Sequence, residues 1–210
     1  MQNGRKADGY MNGKTRYPSF DVLDEKDAWD DHTQEIVTSR TKASVNYQFL
    51  SMTQAEILRC ICSLLMYDSS PDVMGYVISH IDQTLLSSPG EGQRKAGVPA
   101  APDLLRQGLK AIEAYSQIKY GAAFTKLKSE EQEQIIREIS AAKAGQPELW
   151  NEAPQKELFE KLMRLTVESY CSHPRVWSEI GYAGPAYPRG YVRTQLGQLD
   201  PWEAKEEHEA

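Results

Sequence analysis

Hydrophobic residues recur at helical spacing in five stretches of the chain. The apolar face of the first stretch is formed by Ile57, Leu58, Ile61, Leu64 and Leu65. Thr53-Gln54-Ala55-Glu56 precedes it and has the pattern of a capping box, in which the threonine and the glutamate satisfy free amide groups of the first turn. The sequence therefore predicts an amphipathic helix that begins at Thr53.

A second helix is predicted to restart at Ser69-Ser70-Pro71-Asp72, because proline is favoured in the first turn. Its apolar face contains Val73, Val77, Ile81 and Leu85. His80 and Asp82 lie on the same helix without a partner at metal-ligand spacing, and we interpret them as surface groups.

Three further helices are predicted beyond the Gly/Pro-rich loop 87–102. One runs from Asp103 to about Tyr120, and the next follows a second capping-box pattern at Ser129. The last begins at Pro154 and ends before Pro174. No strand pattern of alternating β-branched residues occurs, so the sequence predicts an all-α bundle of about five amphipathic helices.

The segment before the bundle is acidic and mostly aperiodic. Residues 1–16 are polar and are expected to form a disordered leader. Residues 17–40 carry Tyr17, Phe20 and Trp29, with a short helix predicted near 33–38. Such a stretch cannot build a core alone, so we interpret it as an extended arm over a partner or over the helical body. His32 beside Asp30 and Asp31 is better explained as a solvated acidic patch than as a metal site.

Residues 173–191 combine three prolines and three glycines with one tryptophan and three tyrosines. This composition excludes a continuous helix, yet it carries more aromatic surface than a solvated linker keeps. We expect an ordered loop, which either presents aromatic anchors to a partner or closes the protein's own core. The acidic tail, residues 200–210, is expected to be mobile. These patterns divide the chain into a leader and arm (1–49), a helical bundle (50–172), and a loop with its tail (173–210).

Composition narrows the classes of partner. The 210 residues carry a net charge of −6, which argues against nucleic acid as a partner. No apolar run approaches the roughly 20 residues of a membrane helix. The first 16 residues lack a signal-peptide core and a twin arginine, so the cytoplasm is the default expectation, with export on a signal-bearing partner as the alternative. Cys60 and Cys62 are expected to be buried structural thiols, and Cys171 is either reactive or merely exposed.

No recognisable catalytic, haem-binding or dinucleotide-binding motif occurs in the sequence. The strongest enzymatic alternative is an acid–base site that combines Glu179 or His173 with Arg189. Charged residues beside an interface loop more often form salt bridges, so we expect no catalytic residue and no cofactor in this chain.

The C-terminal run resembles a known family. His173-Pro174, Trp177, Ile180-Gly181-Tyr182 and the stretch from Gly184 to Tyr191 are similar to the C-terminal signature of the gluconate 2-dehydrogenase subunit 3 family. The similarity extends upstream to about Leu50. The resemblance implies a small, non-catalytic subunit of a membrane-associated flavin dehydrogenase for sugars or sugar acids.

On that resemblance, the partner is an FAD-dependent large subunit of the glucose–methanol–choline type, which this chain binds, stabilises and helps to assemble. Whether a cytochrome subunit also takes part stays open. A stand-alone helical scaffold with another partner is the alternative. The aromatic arm and loop supply the expected contact residues: Tyr17, Phe20, Trp29, Trp177, Tyr182, Tyr187, Arg189 and Tyr191.

Overall fold

The computed structural model describes residues 15–42, 46–87 and 95–207. These ranges contain the α-helices α1 (Asp31–Ser39), α2 (Met52–Met66), α3 (Pro71–Ser87), α4 (Ala101–Tyr120), α5 (Ser129–Ser140), α6 (Gln155–Tyr170) and α7 (Pro174–Ile180). Short 3-10 helices cover Val22–Ala28, Phe124–Lys126 and Pro147–Trp150. The described residues form no strand, and α2 to α6 are the five predicted helices. The prediction of an all-α fold is confirmed.

Helix α6 lies at the centre of the bundle and contacts α2, α3, α4 and α5. The apolar faces of these helices meet in one main core. Its fully buried side chains include Leu58, Ile61, Ile78, Ile81, Leu105, Leu109, Ile112 and Ile135. The periodic apolar positions of the sequence thus form the interior. None of the helices in the described ranges is long and apolar enough to cross a membrane.

Helix α2 begins earlier than predicted. Ser51 is its N-cap: the Ser51 hydroxyl accepts from the Gln54 N–H at 3.2 Å, and the Gln54 amide oxygen accepts from the Ser51 N–H at 3.0 Å. The prediction of a box at Thr53 and Glu56 is therefore wrong by two residues. The N-cap of α5 is Lys128, one residue before the predicted Ser129, and the Glu131 carboxylate accepts from the Lys128 N–H at 3.0 Å.

The interpretation of His80 and Asp82 as surface groups is wrong. Asp82 is buried, and its carboxylate accepts hydrogen bonds at 2.8–3.0 Å from the backbone N–H groups of Gln48, Phe49 and Leu50. His80 is half-buried, with Nδ1 at 2.9 Å from the Ser169 hydroxyl of α6. Both polar groups face inward because each has a bonding partner on a neighbouring segment.

The cysteines differ in exposure. Cys62 is fully buried beside the Thr166 hydroxyl, and burial raises the pKa of its thiol to about 12. Cys60 is half-buried and Cys171 is exposed. The expectation of a buried thiol therefore holds fully for Cys62 and partly for Cys60.

The arm and the C-terminal segment that begins with α7 pack together beside the bundle, as far as the structure describes them. Residues of the arm and of α7 form a small second core of Val22, Trp29, Val37 and Trp177. The expected mobile tail is ordered over residues 200–207, where Asp200 and Ala204 are buried. That expectation is wrong for the described part of the tail. The leader up to residue 14 and residues 208–210 lie outside the described residues.

Candidate partner-binding surface

Helix α7 joins the two cores. Val176 is buried in the main core, whereas the next residue, Trp177, is buried in the second core. The sequence folds as a helix here because Pro174 occupies the first position, where its missing N–H costs nothing. Gly181 ends the helix with φ +74°, a conformation that favours glycine. The expected loop thus begins with seven helical residues, which the proline and glycine content had concealed.

Polar contacts fix α7 against its neighbours. The Arg175 guanidinium bonds both carboxylate oxygens of Asp72 at 3.1 and 3.2 Å, and donates to Glu179 at 3.2 Å. The Trp177 indole N–H donates to the Cys171 carbonyl at 2.6 Å. The Arg40 guanidinium lies 5.4 Å from the centre of the Trp177 ring. These contacts hold the helix to α3 and to Arg40, the C-cap residue of α1.

Residues 181–207, which we call the strap, continue from α7 across the arm. Two glycines allow the close approach. A Cβ at Gly181 would lie 2.5 Å from the Tyr17 ring, and one at Gly184 would lie 2.6 Å from the Trp29 ring. At the far end the Glu207 N–H donates to the Arg16 carbonyl at 2.9 Å. The strap therefore depends on the arm for its shape.

Arg189 and Asp200 organise the middle of the strap. The Arg189 guanidinium lies over the Trp29 and Trp202 rings, at 5.8 and 5.0 Å from their centres, and donates to the Ala183 carbonyl. Burial lowers the pKa of Arg189. The buried Asp200 carboxylate accepts from the N–H groups of Val192 and Arg193 at 2.8 and 2.7 Å. Both side chains turn the strap back on itself.

The outer face of α7's last residue and the strap is apolar. Thirteen large hydrophobic residues are exposed in the described chain, and seven of them fall within residues 180–199. We call these seven the strap patch: Ile180, Tyr182, Tyr187, Tyr191, Val192, Leu196 and Leu199. Residues 180–199 contain no carboxylate and two arginines, although the whole chain has a charge of −6. An exposed apolar concentration of this kind is typical of a protein interaction site.

The structure divides the eight sequence-predicted contact residues. Trp29 and Trp177 are 3% and 6% exposed, so in this conformation both are core residues and neither is open to a partner. Tyr17 and Arg189 are half-buried where the arm meets the strap, and Phe20 is half-buried against the second core. Tyr182, Tyr187 and Tyr191 lie on the strap patch, with Tyr182 packed edge-on against Trp177 at 5.3 Å.

Four members of the strap patch were missed by sequence analysis: Ile180, Val192, Leu196 and Leu199. The signal in the sequence was the stretch 180–199, which contains no carboxylate although the chain as a whole is acidic. The predicted contact residues were aromatic side chains and Arg189, whereas these four are aliphatic, and Val192, Leu196 and Leu199 follow the end of the signature at Tyr191.

The elements of the suggested acid–base site do not come together. His173 caps α7, Glu179 binds Arg175, and Arg189 lies over the two indole rings. Within the described ranges no three His, Cys, Asp or Glu side chains are grouped so as to hold a metal ion. The acidic cluster around His32 serves the fold, because the Asp30 carboxylate caps α1 through the N–H groups of His32 and Thr33.

An open cleft of about 630 Å³ lies between α2, α5 and the α2–α3 turn, beside the exposed Tyr67. Its charged groups are already engaged: Arg59 bonds Glu56 and Tyr47, and Asp68 bonds Ser70 and Tyr170. Burial raises the pKa of the Cys60 thiol on its wall. The cleft therefore lacks the convergent polar groups that orient a small ligand, and the strap patch is the stronger candidate.

The comparison with models of known protein families gives a match that covers the bundle helices. A family model described as gluconate 2-dehydrogenase subunit 3 matches residues 52–184, which is more than half of the chain. The matched range contains α2 to α7 and the first residues of the strap, and it leaves out the arm. No curated protein and no solved structure matches the chain significantly.

Proposed function

Since the chain belongs to the gluconate 2-dehydrogenase subunit 3 family, we propose that it is an accessory subunit that binds and stabilises an FAD-dependent dehydrogenase large subunit. The oxidation of the sugar or sugar acid takes place on that large subunit, which holds the flavin. This chain contributes a docking surface and no catalytic residue. The strap patch is the observation that carries the proposal.

The strap patch fits a protein partner in its chemistry. Tyrosine and arginine are enriched where interfaces concentrate their binding energy, and the patch presents three tyrosines beside Arg189 and Arg193. Because residues 180–199 lack carboxylates, docking there requires no acidic group to lose its hydration. We therefore expect the partner to offer an apolar surface whose rim is acidic or uncharged.

The patch is also held in a fixed shape before any partner arrives. Arg189, Asp200 and the glycine contacts at Tyr17 and Trp29 fix the backbone from which the tyrosines project. A preorganised surface loses less conformational entropy on binding than a disordered one. The arm therefore supports the interface from behind, while the strap makes the contact.

The test is co-expression of the full chain with the flavoprotein large subunit from its own genome. We expect a complex with flavin absorbance, and an isolated chain without it. Tyr187→Ala combined with Leu196→Ala removes two side chains that are 72% and 108% exposed. Their loss should weaken binding by about thirtyfold or more, since an interface anchor contributes about 2 kcal/mol.

The control is Ile118→Ala, which removes an exposed hydrophobic side chain of α4, outside the strap patch. It should leave the affinity unchanged, and none of these variants should lower the melting temperature of the free chain. Flavin bound stoichiometrically by the isolated chain would contradict an accessory role. If no flavoprotein copurifies, the fold serves as a scaffold for another partner and the proposal is wrong.

A further inference from the structure

His173 caps α7 in a way that depends on its protonation state. Its side chain is 2% exposed, and Nδ1 accepts a hydrogen bond from the Arg175 N–H at 3.2 Å. A ring nitrogen can accept only while it carries no proton, so this cap requires the neutral imidazole with its hydrogen on Nε2. A protonated His173 has no acceptor to offer the helix.

The surroundings of His173 do not accommodate a charged ring. Nε2 is buried and has no hydrogen-bond partner within the described residues. The Tyr76 ring of α3 packs 5.3 Å away. The charged groups that face His173 are Asp72 of α3 and Asp68 of the α2–α3 turn, which favour a charged imidazole, and Arg175 of α7, which opposes it.

The consequences of losing the cap extend beyond α7. Trp177, one turn after His173, completes the second core with Val22, Trp29 and Val37. The Ser178 hydroxyl accepts from the Val22 N–H at 3.0 Å, and the Glu179 carbonyl accepts from the Thr15 hydroxyl at 2.6 Å. The first part of the arm, residues 15–29, thus contacts α7, and the strap is attached to the same part of the arm.

We propose that protonation of His173 uncaps α7 and loosens the second core, so that mild acid releases the arm and the strap. The release would also disorganise the strap patch, and this second consequence rests on the proposed function. We call this pH-dependent contact the latch; it lies where the bundle meets the arm and the strap.

The sign of the effect follows from the direction of the pKa shift. Burial lowers the pKa of His173 from 6.5 to about 4, so the docked state binds a proton less readily than the released state. The contribution of His173 to docking is complete above pH 6.5 and is lost as the pH falls from 6.5 toward 4. Between pH 7.5 and pH 5 the opening equilibrium of α7 should rise by about thirtyfold.

Neighbouring titratable groups act differently. Burial raises the pKa of Glu179, so its protonation favours the docked state and opposes the latch. Burial by itself favours a higher pKa for Asp72, but the hydrogen bond from the Val73 N–H and the charge of Arg175 outweigh it, so the pKa lies below its ordinary value. Asp72 therefore titrates below the pH range in which His173 titrates. Burial lowers the pKa of His80, whose contact with Ser169 joins α3 to α6 rather than α7 to the arm.

Hydrogen exchange on the free full-length chain at pH 7.5 and pH 5 tests the latch, after correction for intrinsic exchange rates. In the wild type the amides of α7 should lose protection by about tenfold or more relative to those of α2 and α4. His173→Asn replaces the histidine with a cap that does not titrate, and the loss should disappear. The matched control His80→Gln should retain the loss at α7.

Equal loss of protection in His173→Asn and in the wild type would overturn the proposal, as would constant protection of α7 in the wild type. If His173→Asn does not fold, nuclear magnetic resonance titration of the wild-type imidazole decides. A His173 that protonates within folded α7 without any loss of protection would also overturn it. Because the partner is absent from both measurements, their outcome is independent of flavoprotein binding at pH 7.5.

Discussion

At the scale of single residues, two buried carboxylates shape segments that no helix organises. The Asp82 carboxylate of α3 accepts hydrogen bonds from three consecutive N–H groups of the segment that leads into α2. The Asp200 carboxylate accepts hydrogen bonds from the N–H groups of Val192 and Arg193 in the strap. A carboxylate accepts several such bonds at once, so one charged residue can fix the path of several backbone units.

Replacing Asp82 by alanine should destabilise the fold by about 3 kcal/mol, because it leaves buried N–H groups without an acceptor. Asp82→Asn retains one side-chain oxygen and should recover part of the loss. Chemical denaturation of the free chain measures both. Asp27→Ala, at an exposed position of the arm, is the control and should change stability by less than about 0.5 kcal/mol. If Asp82→Ala leaves the free energy of unfolding unchanged, the N–H groups of the segment 46–50 find other acceptors and the prediction is wrong.

Neither carboxylate could be located from the sequence. Asp82 lies at a polar position of an amphipathic helix, and Asp200 opens a run of acidic residues, so residue type alone indicates the surface for both. Their burial depends on N–H groups that are distant in sequence or belong to irregular backbone. By contrast, the apolar faces of α2 and α3 were evident because each depends only on local periodicity.

At the scale of helices, α4 and α6 approach closely at one point. Gly108 of α4 is buried, and a Cβ there would lie 2.2 Å from a terminal carbon of Leu158. Leu158 is fully buried in the main core, so its side chain has little room to move away. The missing side chain of Gly108 is what lets the leucine fill this crossing.

Gly108→Ala should therefore destabilise the chain by about 1–3 kcal/mol through overpacking, despite the higher helix propensity of alanine. In the double variant Gly108→Ala/Leu158→Val, the smaller valine leaves space for the added methyl group. Its loss of stability should therefore be smaller than the sum of the losses in the two single variants. Thermal and chemical unfolding of the four variants completes the double-mutant cycle. Additive losses would mean that the two residues do not share this contact.

The helices differ in how far the sequence predicted them. Helices α2 to α6 each bury a periodic apolar face, and all five were predicted with errors of a few residues at their ends. Helix α7 has only seven residues, and its existence depends on the His173 cap, on Trp177 packing and on Gly181. Such tertiary support leaves no periodic signal, so the same stretch was expected to be a loop.

At the scale of the whole molecule, the chain has a large core and a small one with different roles. The main core holds the bundle together through α2 to α6, whereas the second core consists of four buried residues. The strap patch, on which the proposed function depends, is supported by the smaller core. Regions with few buried contacts open locally at a lower free energy than the bundle as a whole.

Two tryptophans of similar burial allow this division to be tested. Trp29 is 3% exposed in the second core, and Trp150 is 5% exposed in the main core. Trp150→Ala should cost about 3–5 kcal/mol of global stability, because it opens a cavity in the bundle. Trp29→Ala should leave the main unfolding transition, followed by circular dichroism, nearly unchanged.

The Trp29 variant should instead become sensitive to trypsin at Arg189 and Arg193 of the strap, because Gly184 and Arg189 lose the indole that they pack against. Its affinity for the flavoprotein should fall even though Trp29 is buried, since the strap patch loses the support that preorganises it. Limited proteolysis and binding are measured on the same preparations. If Trp29→Ala lowers the main transition as much as Trp150→Ala, the two cores unfold as one cooperative unit and the arm is an integral part of the bundle.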